Sequence, residues 1–82
     1  MKKQTSPQHF AICLNNEDYQ ASLEIGKLYR VILDETATAH GYIRIIDESG
    51  EDYAYAADRF YPITLPKVVE QTLLVAAGQM AA

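Results

Sequence analysis

The sequence predicts a mainly β domain, a small antiparallel barrel or sandwich of five short strands that is followed by one short helix. The 82 residues fit a single domain. Short β-branched and aromatic runs alternate with turn-forming residues, whereas apolar residues at helical spacing occur only near the C-terminus. We therefore expect a flexible N-terminus over residues 1–8, the β domain over residues 9–66, and a helix and tail over residues 67–82.

The first predicted strand covers residues 9–14, a short apolar run that stops at two turn-forming asparagines. Residues 17–26 lack the length and periodicity of a helix, so we expect a long, partly extended loop there. The second strand covers residues 27–33, and Gly26 at its entry permits a positive φ. Residues 34–41 are small and polar, and their composition suits either an irregular connection or one helical turn.

The third and fourth predicted strands form a hairpin. They cover residues 42–46 and 52–56, and the acidic turn between them contains Gly50, which can occupy the left-handed region. Because side chains alternate across a strand, Tyr53 and Tyr55 should share one face of the sheet.

The fifth predicted strand, residues 60–64, contains Pro62 and is therefore restricted to a sheet edge or a bulge. The helix is predicted to begin near Pro66 and to end near Gly78. Four apolar residues of this helix should cap the open end of a barrel, with packing against another copy of the chain as the alternative: Val68, Val69, Leu73 and Leu74.

The hairpin and the last strand resemble part of a known fold. Residues 50–56 (GEDYAYA) and 59–63 (RFYPI) resemble the distal hairpin, the short 3₁₀ turn and the last strand of SH3-like barrels. The chain is similar, over about residues 10–66, to a family of short bacterial SH3-like proteins through the segments SLE (22–24), GKLYRV (26–31) and DESGEDY (47–53). The resemblance implies a five-stranded antiparallel SH3-like barrel, but the family brings no established activity. Peptide-binding SH3 domains present a tryptophan to proline-rich ligands, and this sequence contains none.

The charge balance restricts the classes of partner. The net charge is -4, and the seven basic residues are scattered, which disfavours nucleic acid and an anionic membrane surface. A protein partner with a basic or neutral surface suits the chain better. The N-terminus lacks the apolar run of a signal peptide, and the most apolar stretch, residues 73–77, is too short to span a bilayer, so we expect a cytoplasmic protein.

The densest group of potential metal ligands is a set of four carboxylates in the hairpin turn: Asp47, Glu48, Glu51 and Asp52. Their spacing matches no calcium-binding loop, and a solvated turn accounts for the same residues. We therefore predict neither a metal site nor a bound cofactor.

Nucleophilic chemistry has little support in the sequence. Cys13 is the single cysteine and His9 and His40 are the only histidines, so a Cys/His nucleophilic pair would require the fold to bring a histidine to the thiol. A cysteine between two apolar residues is typical of a core position. Neither Ser22 nor Ser49 has the context of a catalytic nucleophile, and no glycine-rich loop resembles a phosphate site, so we predict that the protein is not an enzyme.

Tyrosine is unusually frequent, with six in 82 residues. Tyrosine and arginine are enriched in interface hot spots, although tyrosines also fill the core of a small barrel that lacks tryptophan. The leading hypothesis is a non-catalytic adaptor or regulatory module, a monomer or weak homodimer, that binds a protein partner. The alternative is a small-ligand or metal-binding domain. The candidate binding residues are Tyr19, Tyr55, Arg59 and Tyr61.

Overall fold

The computed structural model of this chain describes residues 9–81, and the side chains of residues 9–76. The elements in chain order are β1 (Phe10–Cys13), β2 (Leu28–Ile32), α1 (Glu35–Ala39), β3 (Tyr42–Ile46), β4 (Asp52–Ala56), a 3₁₀ turn (Ala57–Arg59), β5 (Phe60–Ile63) and α2 (Lys67–Ala81). All five predicted strands are present, and α2 extends three residues beyond the predicted end at Gly78. The predicted flexible segment, residues 1–8, lies outside the described residues.

The strands form one antiparallel sheet in the order β4-β3-β2-β1-β5. Strand β2 joins its two halves, because Leu28 to Arg30 pair with β1 whereas Val31 and Ile32 pair with β3. Within residues 9–81 the edge strands β4 and β5 do not pair with each other, so the sheet is open. The prediction of a mainly β, five-stranded antiparallel domain with a C-terminal helix is confirmed, and closure into a barrel is not.

Two connections between strands have defined structures. The segment after β2 contains a short helix, α1, whose N-cap Asp34 accepts a hydrogen bond at 3.0 Å from the backbone N–H of Ala37. The loop between β1 and β2, residues 14–27, contains neither helix nor strand and has turns at residues 17–18, 20–22 and 25–26. It turns inward because Leu23, 1% exposed, is buried in the core.

The main core lies on one face of the sheet and under this loop. Strand alternation places residues of all five strands on this face, together with Leu23 of the loop. The buried cluster comprises Ala11, Cys13, Leu23, Tyr29, Ile45, Tyr55 and Phe60. The predicted core position of Cys13 is confirmed, and burial raises the pKa of its thiol.

Helix α2 is joined to the start of β1 by a polar contact. The Nδ1 atom of His9 lies 2.8 Å from the Oε2 atom of Glu70. Neighbouring Phe10 is buried but does not belong to the main core cluster. Val68 and Val69 are exposed, so these two residues do not cap the sheet as predicted.

Neither helix in the described part of the chain combines the length and apolar character needed to cross a membrane.

Candidate functional site

An open groove of about 420 Å³ runs along strand β4. We call it the tyrosine groove and define it by its lining residues: Tyr19, Tyr42, Tyr53, Ala54, Tyr55, Ala56 and Arg59. The loop of residues 14–27 supplies the first of these, β3 the second, β4 the next four, and the 3₁₀ turn the last. The groove therefore combines the loop with the β3–β4 hairpin and the turn that follows it, which lie far from the loop in the chain.

The pairing of β3 with β4 positions two walls of the groove. Tyr42 lies opposite Ala56 in the hairpin register, and the small Ala56 side chain leaves the Tyr42 ring 48% exposed. Tyr53 and Tyr55 share the other face of β4, as the sequence predicted, and their ring centres lie 4.7 Å apart.

Three tyrosine rings form an aromatic cluster beside β4. The Tyr19 ring meets the Tyr55 ring edge-to-face, with 5.0 Å between centroids, and lies 6.4 Å from the Tyr53 ring. Such pairs stabilise by about 0.5–1.5 kcal/mol each beyond the area that they bury. The cluster holds the loop against the hairpin and gives one side of the groove a fixed aromatic surface.

Tyr55 forms the floor of the groove. It is 3% exposed, and its hydroxyl donates a hydrogen bond at 2.7 Å to the Oδ2 atom of Asp47. Burial and then the hydrogen bond to this carboxylate raise the pKa of Tyr55 to about 12. Tyr55 is consequently a neutral core residue at physiological pH that presents little surface to a partner.

Arg59 closes the groove at the end of β4 and ties the loop to it. Its guanidinium lies over the Tyr19 ring, 4.8 Å from the centroid. Its Nη1 atom donates to the backbone oxygen of Glu17 at 2.9 Å and to that of Asn15 at 3.3 Å. One nitrogen of the guanidinium is thereby used to hold the loop, while the side chain still lines the groove.

The structure brings together three of the four residues that the sequence singled out. Tyr19, Tyr55 and Arg59 meet at the tyrosine groove. Tyr61 does not line it, because it lies on β5 at the opposite edge of the sheet, where it is 62% exposed.

Sequence reasoning did not select Tyr42 and Tyr53, which also line the groove. The alternation along β4, which places Tyr53 beside Tyr55, was a usable signal for Tyr53. Placing Tyr42 in the groove requires the hairpin register, which the residue pattern alone does not give.

The acidic hairpin turn uses its carboxylates within the fold. Asp47 accepts hydrogen bonds from the backbone N–H of Ser49 at 2.9 Å and from Tyr55. Glu48 accepts from Lys27 Nζ and from the Tyr29 hydroxyl, each at 2.6 Å. These contacts fit the solvated, structural turn that the sequence indicated. No cluster of three or more potential metal ligands occurs within the described residues.

The pKa values of these carboxylates follow from the contacts. Burial acts to raise the pKa of Asp47, but the hydrogen bonds from Ser49 and Tyr55 outweigh it, and the pKa is lowered. The hydrogen bonds from Lys27 and then Tyr29 lower the pKa of Glu48. Both groups are thus held as carboxylates in the folded protein.

The residues considered for nucleophilic chemistry take separate structural roles. Cys13 is fully buried, and His9 contacts Glu70. The exposed His40 lies at the end of α1, where its Nδ1 atom is 2.9 Å from the backbone oxygen of Thr36.

Comparison with known proteins identifies no relative: no family model, no curated protein and no solved structure matches the chain.

Proposed function

We propose that this protein is a non-catalytic protein-interaction module, an adaptor or regulatory domain, that docks a segment of a protein partner in the tyrosine groove. The observation that carries the proposal is the pair of half-exposed rings, Tyr42 and Tyr53, on either side of β4, with Arg59 at the end of the strand. Tyrosine and arginine contribute disproportionately to binding energy in protein interfaces.

The groove is preorganised, which favours binding. Its aromatic cluster and the contacts of Arg59 hold Tyr19 and Tyr53 in place before any partner arrives. A partner therefore does not have to order these side chains, a cost of about 0.5–1.5 kcal/mol for each immobilised side chain.

We further propose that the chain is an SH3-like barrel of the short bacterial type that its sequence resembles. The strand order, the sharing of β2 between two halves of the sheet, and the 3₁₀ turn between β4 and β5 support this proposal. Because folds of this size carry many unrelated activities, the functional proposal depends on the groove and not on the fold.

The part of the partner that contacts the groove should be neutral or basic, because the chain carries a net charge of -4. The alternative of a small-ligand or metal-binding domain has weaker support. In the acidic hairpin, Asp47 and Glu48 already accept hydrogen bonds from neighbouring side chains, and Asp52 pairs with Arg44 at 3.2 Å.

The proposal can be tested by selecting binders from a random peptide library with the purified protein and mapping them by amide chemical shifts. Selected peptides should shift residues of the tyrosine groove. Tyr53→Ala should weaken their binding at least about tenfold. Tyr61→Ala is the matched control, since this exposed tyrosine lies outside the groove, and it should leave the affinity unchanged.

Two results would contradict the proposal. One is a selection that yields no saturable binder, and the other is a set of binders that shift residues away from the groove and respond equally to both variants.

A further inference from the structure

We propose that the partner of this groove is a second copy of the chain, which pairs antiparallel with the free edge of strand β4 so that two sheets join into one. This inference rests on the proposed function, because β4 forms a wall of the tyrosine groove. It goes further by naming the occupant and the backbone contacts that hold it.

The two edges of the sheet differ in how they are protected. Strand β5 contains Pro62, which has no N–H to offer to another strand. Strand β4 has neither proline nor lysine, and it pairs with β3 without a bulge from Asp52 to Ala56. Proline, lysine and bulges on an edge strand commonly prevent another chain from pairing with it. Within the described sheet, β4 is the edge strand that lacks all three.

The hydrogen bonds at the two ends of the hairpin define which backbone groups of β4 face β3. The N–H of Asp47 donates to the oxygen of Glu51 at 3.1 Å, and the N–H of Ala57 donates to the oxygen of Gly41 at 2.9 Å. Hydrogen-bonded and non-hydrogen-bonded pairs alternate along an antiparallel ladder. The odd-numbered residues of β4 therefore bond to β3.

The even-numbered residues of β4 consequently direct their backbone N–H and C=O groups away from the sheet. These residues are Asp52, Ala54 and Ala56. Within residues 9–81, none of the backbone hydrogen bonds between segments uses these groups. Ala54 and Ala56 also have small side chains that leave the edge open to another strand.

The spacing of these three residues is self-complementary. When two antiparallel copies of β4 are centred on Ala54, each Ala54 faces the other, and each Asp52 faces Ala56 of the second copy. Every outward-pointing residue then meets another outward-pointing residue, and each such pair can exchange two hydrogen bonds. A two-fold symmetric dimer satisfies all the outward groups of both strands at once.

The same register buries aromatic surface. Tyr53, which is 50% exposed, comes opposite Tyr55 of the second copy in a non-hydrogen-bonded pair, where side chains approach most closely. On the other face the two Ala54 side chains meet, and their size avoids a steric clash between the copies.

Two acidic chains repel each other, and the contact itself limits this repulsion. The carboxylate of Asp52 is already paired with Arg44 at 3.2 Å within its own chain. Its charge is therefore offset at each end of the interface, where Asp52 comes opposite the neutral Ala56 of the second copy.

The experiment compares the wild type with Ala54→Pro and Ala54→Ser by sedimentation equilibrium over about a hundredfold range of protein concentration. Proline removes an outward-facing N–H that β3 does not use, so the fold should survive, and circular dichroism checks this. Serine keeps the N–H and a small side chain and is the matched control. We expect wild type and Ala54→Ser to dimerise weakly, because a contact of one short strand is small. Ala54→Pro should weaken dimerisation at least about tenfold.

Hydrogen exchange on the wild type gives a second measurement that needs no variant. The amides of Ala54 and Ala56 should become more protected as protein concentration rises. A wild type that stays monomeric throughout, or a dimer that persists in Ala54→Pro, overturns the inference. A monomer that still binds selected peptides through the groove overturns the second copy as occupant and leaves the proposed function intact.

Discussion

The guanidinium of Arg59 lies over the ring of Tyr19, with 4.8 Å between the guanidinium carbon and the ring centre. This contact joins the 3₁₀ turn after β4 to the loop between β1 and β2. The same side chain donates a hydrogen bond to the backbone oxygen of Glu17 at 2.9 Å. Arg59 therefore sets the position of the loop that forms one wall of the tyrosine groove.

Replacing Arg59 with alanine should loosen this loop. We expect the free energy of unfolding to fall by about 1–3 kcal/mol, from the loss of the cation–π contact and the hydrogen bonds to backbone oxygens. The amide of Leu23, which donates to the backbone oxygen of Tyr19 at 2.9 Å, should exchange faster with solvent. Arg59→Lys keeps the positive charge but lacks the planar guanidinium, so its free energy of unfolding should lie between those of the wild type and Arg59→Ala. Unchanged exchange at Leu23 in Arg59→Ala would show that the loop is held by other contacts.

Leu23 also anchors the loop, because its side chain is buried in the core. Leu23→Ala should lower the free energy of unfolding by about 2–5 kcal/mol, because it leaves a cavity in the core. Leu33→Ala is the matched control, since this leucine is 68% exposed and should change stability by no more than about 0.5 kcal/mol. Urea denaturation measures both. Equal effects of the two substitutions would mean that the loop does not contribute to the core.

Acid should destabilise the protein through the hairpin turn. The folded pKa values of Asp47 and Glu48 lie below the ordinary values of 3.8 and 4.5. Their contribution to stability is therefore complete above those values and is lost as the pH falls through the lower folded pKa values. Unfolding by urea at a series of pH values measures how much the free energy of unfolding falls in acid. This fall should be smaller in Asp47→Asn.

An independent measurement addresses the same carboxylate. Tyr55→Phe removes a hydrogen bond to the Asp47 carboxylate and should raise the pKa of Asp47 in an NMR titration. If the pKa of Asp47 is the same in Tyr55→Phe as in the wild type, the hydrogen bonds from Ser49 lower that pKa without a contribution from Tyr55.

Raising the pH into the alkaline range should destabilise the protein through Tyr55. Its pKa is raised from 10.0 to about 12 in the folded protein, so its contribution to stability is complete below pH 10.0 and is lost as the pH rises through 12. Ultraviolet absorbance of tyrosinate should show late ionisation of Tyr55 and of Tyr29, whose pKa burial also raises, and Tyr55→Phe should lose the share of one tyrosine from this late step. Tyr61→Phe, at an exposed position, should leave that step in place. A titration in which Tyr55→Phe loses an early step would contradict the buried position of Tyr55.

Much of the hairpin was predictable because its determinants are local. The β3 and β4 boundaries match the predicted ones, and Gly50 has the positive φ of 87° that the turn requires. The edge position of β5 also follows from one residue, since Pro62 cannot donate to a neighbouring strand.

The conformation of the loop and the assembly of the groove were not predictable in this way. Residues 14–27 show no periodicity, and their course depends on where Leu23 finds apolar neighbours in the folded sheet. Tyr55 and Tyr61 are the same residue type in similar strands, yet one is buried and the other exposed. Their difference arises from what each strand face packs against, which is a property of the whole chain.

The sequence by itself determined the number of strands and their succession along the chain, the hairpin, the buried cysteine and the acidic charge, because alternation, turn residues and composition act over a few neighbouring residues. Only the tertiary structure decided that Tyr19, Tyr42, Tyr53 and Arg59 line one groove. Tyr19 lies far from the other three in the chain, and the energy that brings them together comes from burying a common core.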